Sequence, residues 1–211
     1  MSEEINGLRK TISNEELTEL PLSMFNGKIH LIETLDQVTH AIEYLKKQPV
    51  LGFDTETRPA FKKGQTFPVA LLQLSTSDEA FLFRISQIGL SPGLIKILSS
   101  PSILKIGAAI RDDIKILQRV MPFKPGGFIE LQDMVKDYGI ENFSLKKLSG
   151  IVLGVRISKS QRLTNWEASF LSEQQQVYAA TDAWVAYEIY QKLTNMSPVS
   201  ITFQEQDVAQ E

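Results

Sequence analysis

The run Pro49-Val-Leu-Gly-Phe-Asp-Thr-Glu56 starts apolar and ends on two acids. A short apolar run bounded by turn signals reads as a buried strand. Alternation along a strand puts Asp54 and Glu56 on one face, with Phe53 and Thr55 on the other. The fold must therefore bury the body of this strand and still bring two carboxylates out together at its end. Like charges held that close repel, so something cationic has to compensate them. A pair of all-oxygen ligands suits a hard ion such as Mg²⁺ or Mn²⁺. The tripeptide alone is a weak signature, because one acid capping a turn beside a solvated one would read the same way.

The flanking segments indicate what surrounds that strand. His30 to Glu33 reads as a strand, and Thr34 with Gln37 three residues on forms a capping box opening a helix through about Lys47. Pro68 to Ser75 and Glu79 to Ile85 read as two further strands with short links, which predicts an antiparallel meander. After Pro92 the pattern becomes helix, strand (Ile103 to Ala108), helix (Asp112 to Val120) and a short apolar piece near Phe128, an α/β alternation. Gln132 to Tyr138, Ser144 to Gly150 and Ser172 to Leu193 carry helical spacing, the last opened by a Ser172/Gln175 capping box. Residues 1–27 show no clean period and read as a loosely ordered arm with one short helix. Residues 28–196 form the domain, and 197–211 a polar tail. The expected class is α/β, with a mixed central sheet, antiparallel meander plus parallel strands, flanked by helices.

The 211 residues contain no cysteine, which excludes disulfides and cysteine-held zinc, and a chain of this length can build a full core without them. No apolar run approaches the roughly 18 residues that span a bilayer, and no leader pattern opens the chain. The expectation is a soluble, cytoplasmic protein without a membrane partner. The formal net charge of −3 hides an asymmetry. Residues 1–20 and 203–211 each sum to −3, so residues 21–202 carry +3. Phe143 to Arg162 holds Lys146, Lys147, Arg156, Lys159 and Arg162 without an acid. Such a strip is either a solvated face or a surface that meets a phosphate chain.

Two further motifs bear carboxylates. Tyr178-Ala-Ala-Thr-Asp182 lies in the last predicted helix, where i and i+4 share a face, so phenol and carboxylate point into one space. Gly107-Ala-Ala-Ile-Arg-Asp112-Asp113 reads as a strand end followed by an acidic helix start, which the helix dipole favours without any catalysis. Each is weak alone. In order, however, D-x-E at a strand end, Asp in a strand-to-helix unit and Y-x-x-x-D in the last helix resemble the DEDD superfamily of 3′–5′ exonucleases, in its tyrosine branch. The pattern is nearest the exonuclease domain of the Werner syndrome protein and, less closely, RNase D, over roughly residues 29–195. Thr57 and Arg58 stand where the Werner-type motif has Trp and Pro. Of the adjacent Asp112 and Asp113, the family's spacing from Gly107 and to Leu117 selects Asp113. His30 and His40 lie far from the last helix, which places the chain outside the histidine branch.

The resemblance implies a ribonuclease H-like fold and hydrolysis from a 3′ end by two divalent ions, Mg²⁺ or Mn²⁺, releasing nucleoside 5′-monophosphates. It makes Asp54, Glu56, Asp113, Tyr178 and Asp182 catalytic and the four acids metal ligands. Asp54 would bridge both ions, Glu56 and Asp182 would complete the nucleophile-side ion, and Asp113 would hold the second. Tyr178, with a phenol pKa near 10, would position water rather than take its proton. Lys146, Lys147, Lys159 and Arg162 would contact the phosphates of a single-stranded or 3′-recessed strand, with Trp166, Phe61 and Phe67 as stacking candidates. The Werner-type motif favours DNA. RNase D-like trimming of RNA 3′ ends and a non-catalytic nucleic-acid-binding homologue are the alternatives. With no room for a helicase in 211 residues, selectivity is expected from loops or from a separate protein such as a helicase.

Overall fold

The computed structural model describes Glu4–Ile5 and residues 7–62 and 64–199. A small antiparallel hairpin, β1 (Glu4–Ile5) and β2 (Leu8–Arg9), and a short helix α1 (Asn14–Glu19) precede the main sheet. The sheet's strands are β3 (Lys28–Ile32), β4 (Val50–Thr57), β5 (Val69–Ser75), β6 (Glu79–Phe83), β7 (Leu104–Gly107) and β8 (Phe128–Glu130), in the order β3-β6-β5-β4-β7-β8. Strands β4, β5 and β6 form the expected antiparallel meander, while β3 runs parallel to β6 and β7 parallel to both β4 and β8. The helices are α2 (Leu35–Leu45), α3 (Ile85–Ile88), α4 (Pro92–Ser99), α5 (Ile110–Val120), α6 (Leu131–Met134), α7 (Leu145–Leu148) and α8 (Glu173–Thr194). Both predicted capping boxes are present, at Thr34 and Ser172. Among the described residues no helix is long and apolar enough to cross a membrane.

The sheet is covered on both faces, and for that reason β5 is apolar almost throughout and buried along its whole length. On one face Phe81 and Phe83 of β6 and Phe53 of β4 join a cluster with α2, α4 and α5, where Leu45, Leu94 and Leu117 are buried. On the other face Ala80 and Leu82 meet Tyr178, Ala179 and Ala180 of α8. Helix α8 lies close on this face because the contact residues are small. A methyl group at Gly52 would sit 1.9 Å from the carbonyl oxygen of Ala183. That approach carries the polar end of α8 to the acidic end of β4.

The N-terminal arm departs from expectation. Leu17 is 1% exposed and Leu8, Ile12 and Phe25 are buried as well. Leu8, Ile12 and Leu17 pack with Ile151, Val152 and Val185, and Ile12 N–H donates to Asn142 Oδ1 at 2.9 Å. Residues 8–27 are thus a packed part of the molecule. Their apolar anchors are irregularly spaced, so neither a 3.6- nor a 2-residue period betrays them. The predicted helix Ser144–Gly150 is a short α7 that passes into a π-helical turn, Ser149–Leu153. Gln132–Tyr138 divides into α6 and a 3-10 turn, Val135–Tyr138. Of the proposed tail, residues 200–211 lie outside the described residues.

Candidate active site

Strand alternation does at the end of β4 what the sequence suggested. Phe53 and Thr55 are buried on the α5 side, and Asp54 and Glu56 are less covered and face α8. A register shift against β5 falls between Glu56 and Thr57, ending regular pairing directly after the motif. From α8 come Tyr178 and Asp182, one helical turn apart and hydrogen-bonded to each other. Ligating oxygens of Asp54, Glu56 and Asp182 all lie within 4.8 Å of one another. Two distant sequence motifs thus meet in one group.

Asp113 reaches the same strand end from the opposite face of the sheet. It lies in the first turn of α5, and its Oδ1 accepts a hydrogen bond from Thr55 Oγ1 at 2.5 Å. The start of α5 is itself held from β8. The two oxygens of Glu130 accept from the N–H groups of Ala109 and Ile110, both at 2.8 Å, and Ala109 adopts a left-handed conformation at φ 63°. Thr55 and Glu130 hold Asp113 and the start of α5 in place, contacts that sequence reasoning missed. Thr55 was hidden as the middle letter of D-x-E, and Glu130 follows Asp113 by 17 positions with no motif of its own.

The electrostatics are those of a crowded, poorly hydrated anionic site. Burial, then the neighbouring Asp182 and Asp113, holds the Asp54 carboxyl well above the usual carboxylate range. Burial and then Asp54 push Glu56 up to about 9. Burial pushes Asp113 up to about 6 against the opposing bond from Thr55. Asp182 is also raised by burial, opposed by Lys159, whose Nζ stands 3.3 and 3.4 Å from the two carboxylate oxygens. Burial and the carboxylates raise the Tyr178 phenol as well, so it stays protonated and acts as a donor. A single ammonium cannot balance four acids. An all-oxygen donor set with surplus negative charge in a low-dielectric place fits a hard divalent cation.

Of the basic strip, Lys159 is brought to the carboxylates, where it also lies 5.6 Å from the centre of the Tyr178 ring. Lys147 and Arg156 turn elsewhere. Lys147 Nζ donates to the Ile12 carbonyl at 2.5 Å and Arg156 Nε to that of Leu20 at 3.0 Å. Both tie down the N-terminal segment, which corrects the expectation that Lys147 grips phosphate. Lys146 is half-buried in α7, and Arg162 is exposed. Trp166 is also corrected: at 0% exposure it packs 5.9 Å from Tyr178 and cannot stack on a base. Phe67 lies beneath the Arg58 guanidinium at 5.2 Å, and Phe61 is 80% exposed.

Residues 29–198 match the family model described as 3′–5′ exonuclease. The chain is 39% identical over 160 residues to the bifunctional 3′–5′ exonuclease/ATP-dependent helicase WRN of Mus musculus, covering 73% of this chain and 11% of that protein. Among solved structures it resembles the Nibbler EXO domain of Aedes aegypti, with a TM-score of 0.73 at 25% identity over 83% of this chain and 95% of that one. It also resembles RNase D of Escherichia coli, with a TM-score of 0.71 at 26% identity over 80% and 44%. The chain thus spans only a small part of the WRN protein it matches. By sequence family and by its mixed α/β, ribonuclease H-like architecture, this chain belongs to the 3′–5′ exonucleases of the DEDD type.

Proposed function

We propose that this exonuclease shortens single-stranded or 3′-recessed DNA with two divalent ions, Mg²⁺ or Mn²⁺, held by Asp54, Glu56, Asp113 and Asp182. The observation that carries the proposal is the convergence of three carboxylates from β4 and α8 within 4.8 Å. In the reaction a water oxygen bonds to phosphorus and the P–O3′ bond breaks. The proton passes to the departing 3′ oxygen, leaving a nucleoside 5′-monophosphate and a strand with a new 3′-hydroxyl. Bound divalent ions supply the positive charge that an anionic substrate needs and lower the pKa of the attacking water.

The chain's own groups do the rest. Asp54, Glu56 and Asp182 would hold one ion, and Asp113 would share the second with Asp54. Thr55 and Glu130 orient Asp113 from behind. Tyr178, held protonated, orients water by hydrogen bonding rather than by taking a proton. Lys159 pairs with Asp182 and, with the carboxylates holding metal, would meet the incoming phosphate. Arg162, exposed close by in sequence, extends that grip. DNA is supported by the Werner-type order of motifs and by the 39% identity to WRN, against 26% to E. coli RNase D.

The test is a gel assay with 5′-labelled DNA and RNA of one sequence, each with Mg²⁺, Mn²⁺ or EDTA. A metal-dependent ladder on DNA, absent in Asp54→Ala, is the expected result. Retained turnover in that variant overturns the mechanism, and a ladder on RNA alone reassigns the enzyme to RNA 3′-end trimming.

A further inference from the structure

A cavity of about 330 Å³ shares Tyr178 with the candidate site and is lined also by Thr181, the residue before Asp182. Its apolar wall is made by Leu22, Met24, Val177 and Tyr178. Leu22 and Met24 are 46% and 53% exposed, two of the large apolar side chains open to water among the described residues. They come from the N-terminal segment, upstream of the residues shared with the family model.

That segment is fastened in place as a strap. Leu22 forms a parallel bridge with Arg156, Ser23 N–H donates to the Arg156 carbonyl at 2.9 Å, and Arg156 N–H to that of Pro21 at 3.0 Å. Beyond the cavity Phe25 N–H donates to Thr181 Oγ1 at 3.0 Å, and the Phe25 ring is buried 6.2 Å from Trp184. The strap is thus bonded on one side to the loop leading to Lys159 and on the other to the helix carrying Tyr178 and Asp182. Two apolar side chains held open by so many bonds are costly unless something covers them.

We propose that the strap makes a nucleobase subsite, in which Leu22 and Met24 pack against the face of an unpaired base next to the scissile bond. The inference rests on the reading that a 3′ end is bound at the carboxylates. The cavity shares Tyr178 with that group, and Ser158 and Ser160, which flank Lys159, form its edge. A nucleotide whose phosphate sits at Lys159 therefore has its base within reach of the strap. The occupant is the base and not the phosphate, because the lining includes Glu173 and, among the described residues, no Lys or Arg. The Ser hydroxyls and the Gln174 amide supply donors and acceptors of both kinds, which tolerates any base rather than reading one.

The experiment places an abasic residue in turn at each of the last three positions of a single-stranded DNA. It compares the wild type with Leu22→Ala/Met24→Ala, both exposed positions that the fold tolerates. On the intact strand the variant should lose about tenfold in kcat/KM, mostly through KM. At one abasic position the wild type should fall by a similar factor, and there the two proteins should coincide. Equal losses on intact and abasic strands, or no loss at all, overturn the subsite. Fluorescence anisotropy in EDTA repeats the comparison without turnover. A wild type that cleaves nothing therefore refutes the metal mechanism, while equal affinity for intact and abasic strands refutes the base pocket.

Discussion

Lys105 shows how far burial alone can mislead at the level of a residue. It lies on β7 at 0% exposure, where a lysine normally costs several kcal/mol. Its Nζ donates to the carbonyls of Ile97, Ser100 and Ile103 at 2.9, 2.8 and 2.6 Å, and it lies 5.1 Å from the Phe128 ring centre. Burial pushes its pKa down to about 8, so the ammonium is still charged at neutral pH. Lys105→Met should destabilise the protein by about 3 kcal/mol in urea unfolding, since it leaves three carbonyls without their donor. Thr55 works at the same scale but at the candidate site, where its hydroxyl donates to Asp113. Thr55→Val removes the anchor of Asp113 and should weaken Mn²⁺ affinity about 10-fold or more by calorimetry, with Thr55→Ser restoring it. An undiminished affinity in the valine variant would show that Asp113 needs no orientation from β4.

At the level of elements, the site exists because α8 lies almost on the backbone of β4. Gly52 permits this, and its requirement is space rather than an unusual dihedral angle. Gly52→Ala should force the helix away from the strand, cost about 3 kcal/mol and lower kcat by about 100-fold. Normal activity with lowered stability would mean that Asp182 keeps its place by other contacts. The D-x-E and Y-x-x-x-D motifs were legible because strand and helix periodicities act on residues two and four apart, and both held in the fold. The support of Asp113 was not legible. It depends on Thr55 and Glu130, which stand 58 and 17 positions away from Asp113 in the chain and become neighbours only across the sheet.

For the whole molecule, the raised carboxylates dictate how stability responds to pH. Between about 4.5 and about 9 the folded protein keeps a proton on Glu56 that the unfolded chain has released. Folding then binds the extra proton, so metal-free stability falls as pH rises through that window and levels off below it. Asp113 adds a change of the same sign between 3.8 and about 6. A divalent ion replaces those protons, so the rise in Tm on adding Mn²⁺ should grow from pH 5.5 to pH 8. A metal-induced rise that is equal at both values would show that the acids are ionised without it. Substrate binding gives a second molecule-scale prediction. Lys159→Ala/Arg162→Ala should raise KM for DNA and flatten its dependence on salt. Because Lys159 also faces Asp182, the same variant should lose metal-free stability, an effect that a purely phosphate-binding residue would not produce.

The sequence by itself determined most of the succession of strands and helices in the main sheet and the antiparallel meander, because these rest on local periodicity and capping. Tertiary structure decided which candidates do other work. Trp166 is core, Lys147 fastens the N-terminal segment, and residues 8–27 are packed where a loose arm was expected. It also decided that Leu22 and Met24 stand beside Tyr178. Burial and long-range proximity arise from elements closing over one another, and four irregularly spaced apolar residues leave no period in the chain from which that closure could be read.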